Sequence, residues 1–143
     1  MPTETLNLFT YGSLMYPQVW QRVVRGSYTS SEAKIHGFRR LRLRDELYPV
    51  LVVAKGAPPL LGRIYYQVSA TDVKRLDDFE TNAYVRVTIS ATVNGIAIPA
   101  HGYAGRHSAE VINQDWDPAN FEQFGMRRFL DTYTHLQAPK DRA

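Results

Sequence analysis

The chain contains no cysteine among its 143 residues. Disulfides, thiolate nucleophiles and cysteine metal sites are therefore excluded, and a reducing, cytoplasmic setting is expected. It also lacks long apolar runs. None approaches the roughly 20 residues needed to cross a bilayer, and the first residues show no basic-then-apolar leader pattern, so no membrane association is expected. Strong charge of one sign is missing too. The net charge of +3 permits an anionic ligand without demanding nucleic acid. There is no internal repeat, low-complexity segment or linker, and the length suits one domain over residues 1–143, with a loose tail from about Ala138.

What is present is an ordinary globular composition, 44% hydrophobic and 12% aromatic, with enough apolar material for a core. Leu6 to Tyr11 reads as a strand. Gly12-Ser13 breaks it, and Pro17 opens a helix from Tyr16 to Val24, with Trp20, Val23 and Val24 on one face and Gly26 at its end. A chain that leaves a strand through Gly-Ser and enters a helix presents unpaired N–H groups and the positive end of a helix dipole, a seat for a carboxylate or oxyanion. The same turn can equally serve only to reverse the chain.

Ala33 to Arg44 reads as one strand with a bend at Gly37. Arg40, Arg42 and Arg44 share a face that is best read as solvated, and Asp45 and Glu46 beside them weaken any nucleic-acid reading. Asp45 to Pro49 suggests a turn, and Val50 to Ala54 a short buried strand. After the Gly56-Ala57-Pro58-Pro59 break, Leu60 to Val68 is a further strand. Ser69 then caps a helix in capping-box style, with Asp72 three residues on. Tyr84 to Val93 alternates cleanly, and Asn94-Gly95 turns it back along Ile96 to Ala104 as a hairpin, with Pro99 marking an edge or bulge. A polar loop spans Gly105 to Trp116. Asp117-Pro118 opens a last helix whose core candidates are Phe121, Phe124, Phe129, Leu130 and Tyr133, with Gly125 as a kink. About six strands with interspersed helices fit an α+β fold, a small mixed β-barrel or curved sheet flanked by helices.

One carboxylate stands out. On the helix after Ser69, Val73 and Leu76 define an apolar face, and at 100° per residue Glu80 falls between them, with Asp77 beside it. A carboxylate directed inward beside Phe79 and Tyr84 is desolvated, which suits a general acid or base near neutral pH. The alternatives are a helix that ends early and leaves Glu80 in water, or an ion pair with Arg86. Ser13 lacks the Gly-x-Ser-x-Gly elbow of a nucleophile. His36, His101, His107 and His135 show no metal-ligand spacing, so no metal or other cofactor is expected.

Leu8-Phe9-Thr10-Tyr11-Gly12-Ser13-Leu14-Met15 resembles the Tyr-Gly-Ser-Leu signature of the gamma-glutamylcyclotransferase family. Leu76-Asp77-Asp78-Phe79-Glu80, followed by Tyr84-Val85-Arg86, is similar to its second signature. Gly37-Phe38-Arg39, Tyr48-Pro49 and Gly62 fall in the family's usual order between them. The resemblance, closest to the gamma-glutamylamine type, implies a compact mixed barrel with a cavity at its mouth. It also implies conversion of a small γ-glutamyl amine or amide to 5-oxoproline plus a free amine. By position it places Tyr11, Gly12, Ser13 and Leu14 in a substrate-binding loop, Glu80 as the acid/base and Tyr84 in the cavity wall. The partner expected is a small γ-glutamyl molecule, with no nucleic acid or membrane, and the sequence leaves the oligomeric state open. The family's glycine after the glutamate is replaced by Thr81, followed by Asn82-Ala83. That departure motivates a second reading, a non-catalytic module that binds a small anion or metabolite.

Overall fold

The computed structural model describes residues 4–44, 47–80, 84–105 and 111–131. The readings that fall on Asp45-Glu46, on Thr81 to Ala83, on Tyr133 and on the tail from Ala138 lie outside these residues.

Five strands form a closed barrel in the order β1 (Thr5–Thr10), β5 (Leu60–Ser69), β2 (Ser30–Ile35), β6 (Tyr84–Val93) and β7 (Ile96–Gly105). A second sheet has the order β4 (Pro49–Val53), β3 (Phe38–Leu43), β8 (Val111–Asp115). Helix α1 (Pro17–Val23) follows β1, and α2 (Ala70–Glu80) connects β5 to β6. The chain then ends its described part in a helical run: α3 (Pro118–Asn120), a π-helical stretch (Phe121–Gly125) and α4 (Met126–Phe129). This is the mixed α+β barrel that the residue pattern predicts.

Alternation within the barrel strands serves two cores. Phe9, Ala33, Ile35, Ile64, Ile89, Ala91 and Ala100 fill the barrel. Leu8, Tyr65, Val68, Tyr84 and Tyr103 point to the other side, where they pack under α1, α2 and the final helices with Trp20, Leu76, Phe121 and Phe129. Because successive side chains of a strand face opposite ways, Leu8 and Phe9 are both buried, which explains why β1 reads as a nearly continuous apolar run. Trp20 stacks on Tyr65 with ring centroids 3.6 Å apart, fixing α1 against β5.

Several details differ from expectation. Ala33 to Arg44 is two strands in two sheets. Gly37 takes φ +84°, a conformation that L side chains rarely adopt, and it carries the chain from the barrel into the second sheet. The polar loop after Gly105 contains β8, which pairs with β3. Phe124 is 67% exposed and contributes nothing to the core; the π-helical stretch ending at Gly125 rotates it outward. Val85 is exposed while Tyr84 is buried, because Tyr84 belongs to the outer core and only the later odd positions of β6 face the barrel. The capping box is half formed. Ser69 Oγ accepts from Asp72 N–H at 3.2 Å, but the Asp72 carboxylate turns to α1. There it accepts from the Arg25 and Gly26 main chain (2.9 Å each), the Tyr28 hydroxyl (2.6 Å) and Arg75 (2.6 Å).

Candidate functional site

The strand-to-helix turn is built as its residues suggest. β1 ends at Thr10, Tyr11 is buried, and Ser13–Met15 form a single 3₁₀ turn before Pro17 starts α1. The turn is closed by Met15 N–H to Gly12 O at 3.0 Å and Tyr16 N–H to Ser13 O at 3.1 Å. The leading N–H groups of such a turn have no partner within it. Gly12 is required by packing: a Cβ there would stand 2.8 Å from Cδ of Pro49, inside van der Waals contact. Beneath the turn lies Arg40. Its Nη1 donates to Tyr11 O at 2.9 Å, and its guanidinium lies 5.3 Å from the Trp116 ring centroid. The arginine strand is therefore a solvated face only in part. Arg42 and Arg44 are exposed, whereas Arg40 is half-buried and pins the turn.

Helix α2 persists to Glu80, as its apolar stripe requires. Val73 and Leu76 are buried, and Lys74 and Asp78 are exposed and paired at 3.6 Å. Glu80 lines one narrow cavity together with Tyr11, Gly12, Ser13, Leu14, Tyr84, Tyr48 and Pro49. All six positions singled out from the sequence thus border the same space. Its free volume is about 30 Å³, room for one or two waters. Tyr84 donates from its hydroxyl to Pro49 O at 2.7 Å, holding the Tyr48–Pro49 side in place. Thr81, which motivated the second reading, lies outside the described residues.

Burial pushes the Glu80 carboxyl up to about 8, and the like charge of Asp77 adds to the shift. The Tyr11 hydroxyl is also raised, by burial first and by the Glu80 charge second. Arg86 pairs with Asp77, Nε to Oδ1 at 3.5 Å, rather than serving as the partner that the sequence alternative gave Glu80.

Sequence reasoning did not assign Tyr48 and Pro49 to the site, and it noted Asp77 only as a neighbour of Glu80. Tyr103 was missed. Its hydroxyl donates to Asp77 Oδ1 at 2.5 Å, and its main-chain carbonyl accepts from the Tyr11 hydroxyl. The helical spacing of Asp77 and Glu80 was visible, but the pairing of α2 with β7 through Tyr103 needs the three-dimensional structure.

Two larger clefts, of about 340 and 400 Å³, flank Asp115, Trp116 and Asp117. Size alone favours them. Neither contains Glu80 or the Gly12–Leu14 turn, so the smaller cavity is the candidate site. Among the described residues no group of three or more His, Asp or Glu gathers to hold a metal.

The family described as "Gamma-glutamyl cyclotransferase, AIG2-like" matches residues 8–118. AIG2-like protein A of Arabidopsis thaliana is 23% identical over 138 residues, 94% of this chain and 82% of that protein. A solution structure of an Arabidopsis thaliana protein superposes with a TM-score of 0.70 at 24% identity, over 96% of this chain and 93% of that one. A solved gamma-glutamyl cyclotransferase superposes with a TM-score of 0.63 at 15% identity, over 76% and 70% of the two chains. At such identities the superpositions establish the shared fold.

Proposed function

The chain belongs to the AIG2-like gamma-glutamyl cyclotransferase family, and from that premise we propose that it converts a small γ-glutamyl amine or amide to 5-oxoproline and a free amine. The observation that carries this reading is the meeting of the Glu80 carboxyl and the Tyr11–Leu14 turn on one cavity.

The chemistry asks little of the protein. The substrate's α-amine attacks its own γ-carbonyl carbon, closing a five-membered ring, so neither a protein nucleophile nor a cofactor enters the electron balance. Glu80 first takes a proton from the α-ammonium. The freed lone pair forms the new C–N bond, and the carbonyl becomes an oxyanion. Collapse of that intermediate breaks the bond to the departing amine, which receives the proton back from Glu80, while the ring nitrogen gives up its second proton, and the amine leaves as its ammonium. A carboxyl with a pKa of about 8 stands close to the amines with which it exchanges, so neither transfer is strongly uphill. The turn contributes position. N–H groups of Gly12, Ser13 and Leu14 receive the α-carboxylate or the oxyanion, and a chain held folded back reacts intramolecularly. The cavity has only about 30 Å³ free, less than a γ-glutamyl group occupies, so substrate binding requires its walls to part.

The test is 5-oxoproline release across a panel of γ-glutamyl amines and dipeptides. Glu80→Gln should lower kcat/KM by at least about 100-fold, the usual share of a general acid–base, with its melting temperature near pH 5 unchanged. Undiminished turnover in that variant overturns the assignment. Ligand-induced stabilisation by small carboxylates with no turnover of any panel member would instead identify a binding module.

A further inference from the structure

Asp77 stands one helical turn before Glu80 on α2, the i,i+3 spacing that brings side chains together. Two contacts outside that helix determine where its carboxylate lies. The Tyr103 hydroxyl of β7 donates to Oδ1 at 2.5 Å. Arg86 Nε of β6 lies 3.5 Å from the same oxygen; it is buried and makes no hydrogen bond, so it acts on Asp77 through charge. The Tyr103 main chain in turn accepts from Tyr11 at the head of the binding turn. One tyrosine therefore joins the turn, through its carbonyl, to the acidic end of α2, through its hydroxyl.

Building on the cyclotransferase reading, we infer that Asp77 is a positioning residue that acts through Glu80: its anchored charge strengthens the Glu80 carboxylate as a base, matching it to the ammonium it must deprotonate. Among the described residues, the titratable and charged groups facing Glu80 are few. Asp77 is on its own helix, Tyr11, Tyr48, Tyr84 and Tyr103 come from the elements packed against it, and Arg86 stands beyond Asp77. Tyrosines are neutral at working pH. The local balance of charge therefore reduces to Asp77, which raises the proton affinity of Glu80, and Arg86, which tempers that effect through Asp77. Tyr103 holds Asp77 at a set distance, so the effect does not average away.

Opposite signs test the inference. The acid limb of the kcat/KM–pH profile should move down by about one pH unit in Asp77→Asn, where the repulsion is lost. In Arg86→Gln it should move up, because Asp77 then acts untempered. On the alkaline plateau Asp77→Asn should lower kcat about threefold, as expected for a weaker base, with KM within about twofold of wild type. Asp77→Glu should restore the profile in part. A limb that stays in place in Asp77→Asn, or limbs that move the same way in both variants, overturns the inference. Should Asp77→Asn not fold, an unmoved limb in Arg86→Gln overturns it alone. Carbon-13 titration of the Glu80 carboxyl, assigned by its loss in Glu80→Gln, reads the same shifts without turnover. If wild type releases no 5-oxoproline, the reaction falls, and the carboxyl titration still decides whether Asp77 governs Glu80.

Discussion

Glu80 shows how one side chain links stability to chemistry. Its folded pKa of about 8 lies above the ordinary 4.5, so between these values the native state binds more protons than the unfolded chain, and stability falls as pH rises. Above pH 8 the full penalty of an ionised buried carboxylate, on the order of 5 kcal/mol, is present. Glu80→Gln removes the ionisation. The variant should therefore melt higher than wild type at pH 9, with the difference vanishing near pH 5; thermal unfolding across that range checks it. The wild-type kcat/KM should climb with unit slope below pH 8, as Glu80 loses its proton, and level off above it. Gly12 presents a steric case. A Cβ 2.8 Å from the Pro49 ring forces the turn and the Tyr48–Pro49 side apart. Gly12→Ala should cost about 1–3 kcal/mol, the usual range for overpacking, and it should lower activity more than a stability loss of that size explains.

At the scale of elements, α2 carries a carboxylate at each end, and the two do opposite things. Asp72, 2% exposed, accepts from main-chain groups just past α1 and from Tyr28 and Arg75. Burial alone would raise its pKa, but these hydrogen bonds outweigh it, and its carboxyl lies below the usual range. The resulting stability is fully present above the ordinary carboxylate pKa and is lost as pH falls through the lower, folded value. Asp72→Ala should cost about 3 kcal/mol at pH 7, because buried donors lose their acceptor. The deficit should shrink in acid, which denaturant melts at pH 7 and pH 3 will show. A clamp at the start of α2 holds the helix on α1, so its far end can present an unfavourably buried Glu80. The second sheet plays a comparable part for the turn: β3 supplies Arg40 to the Tyr11 carbonyl, and β4 begins with the Pro49 that covers Gly12.

Over the whole molecule, the barrel is unevenly closed. β6 and β7 pair along their full lengths, from Tyr84–Gly105 to Val93–Ile96. The β1–β7 seam is a parallel contact at Leu8–His101, and the β2–β6 seam is a contact at Lys34–Thr92. Native-state hydrogen exchange should find its slowest amides in the β6–β7 hairpin and measurably faster ones at both seams. Equal protection around the barrel would contradict this picture. The site sits where β1, β4 and α2 converge, so it draws on both cores.

Local sequence pattern determined much of this protein. The apolar run ending in Gly-Ser specified a strand and a turn, the 100° periodicity of Val73, Leu76 and Glu80 put that carboxylate inward, and Asn94-Gly95 specified the hairpin. Such features are legible because each depends on side-chain direction within one element. Tertiary structure alone decided the rest. Gly37 divided one apparent strand between two sheets, Arg40 left its solvated face to hold Tyr11, the Pro49 ring closed over Gly12, and Tyr103 reached Asp77 from β7. Those contacts join residues 26 to 37 positions apart, or depend on which sheet a strand joins. Periodicity reports the face a side chain takes, not the partner waiting there.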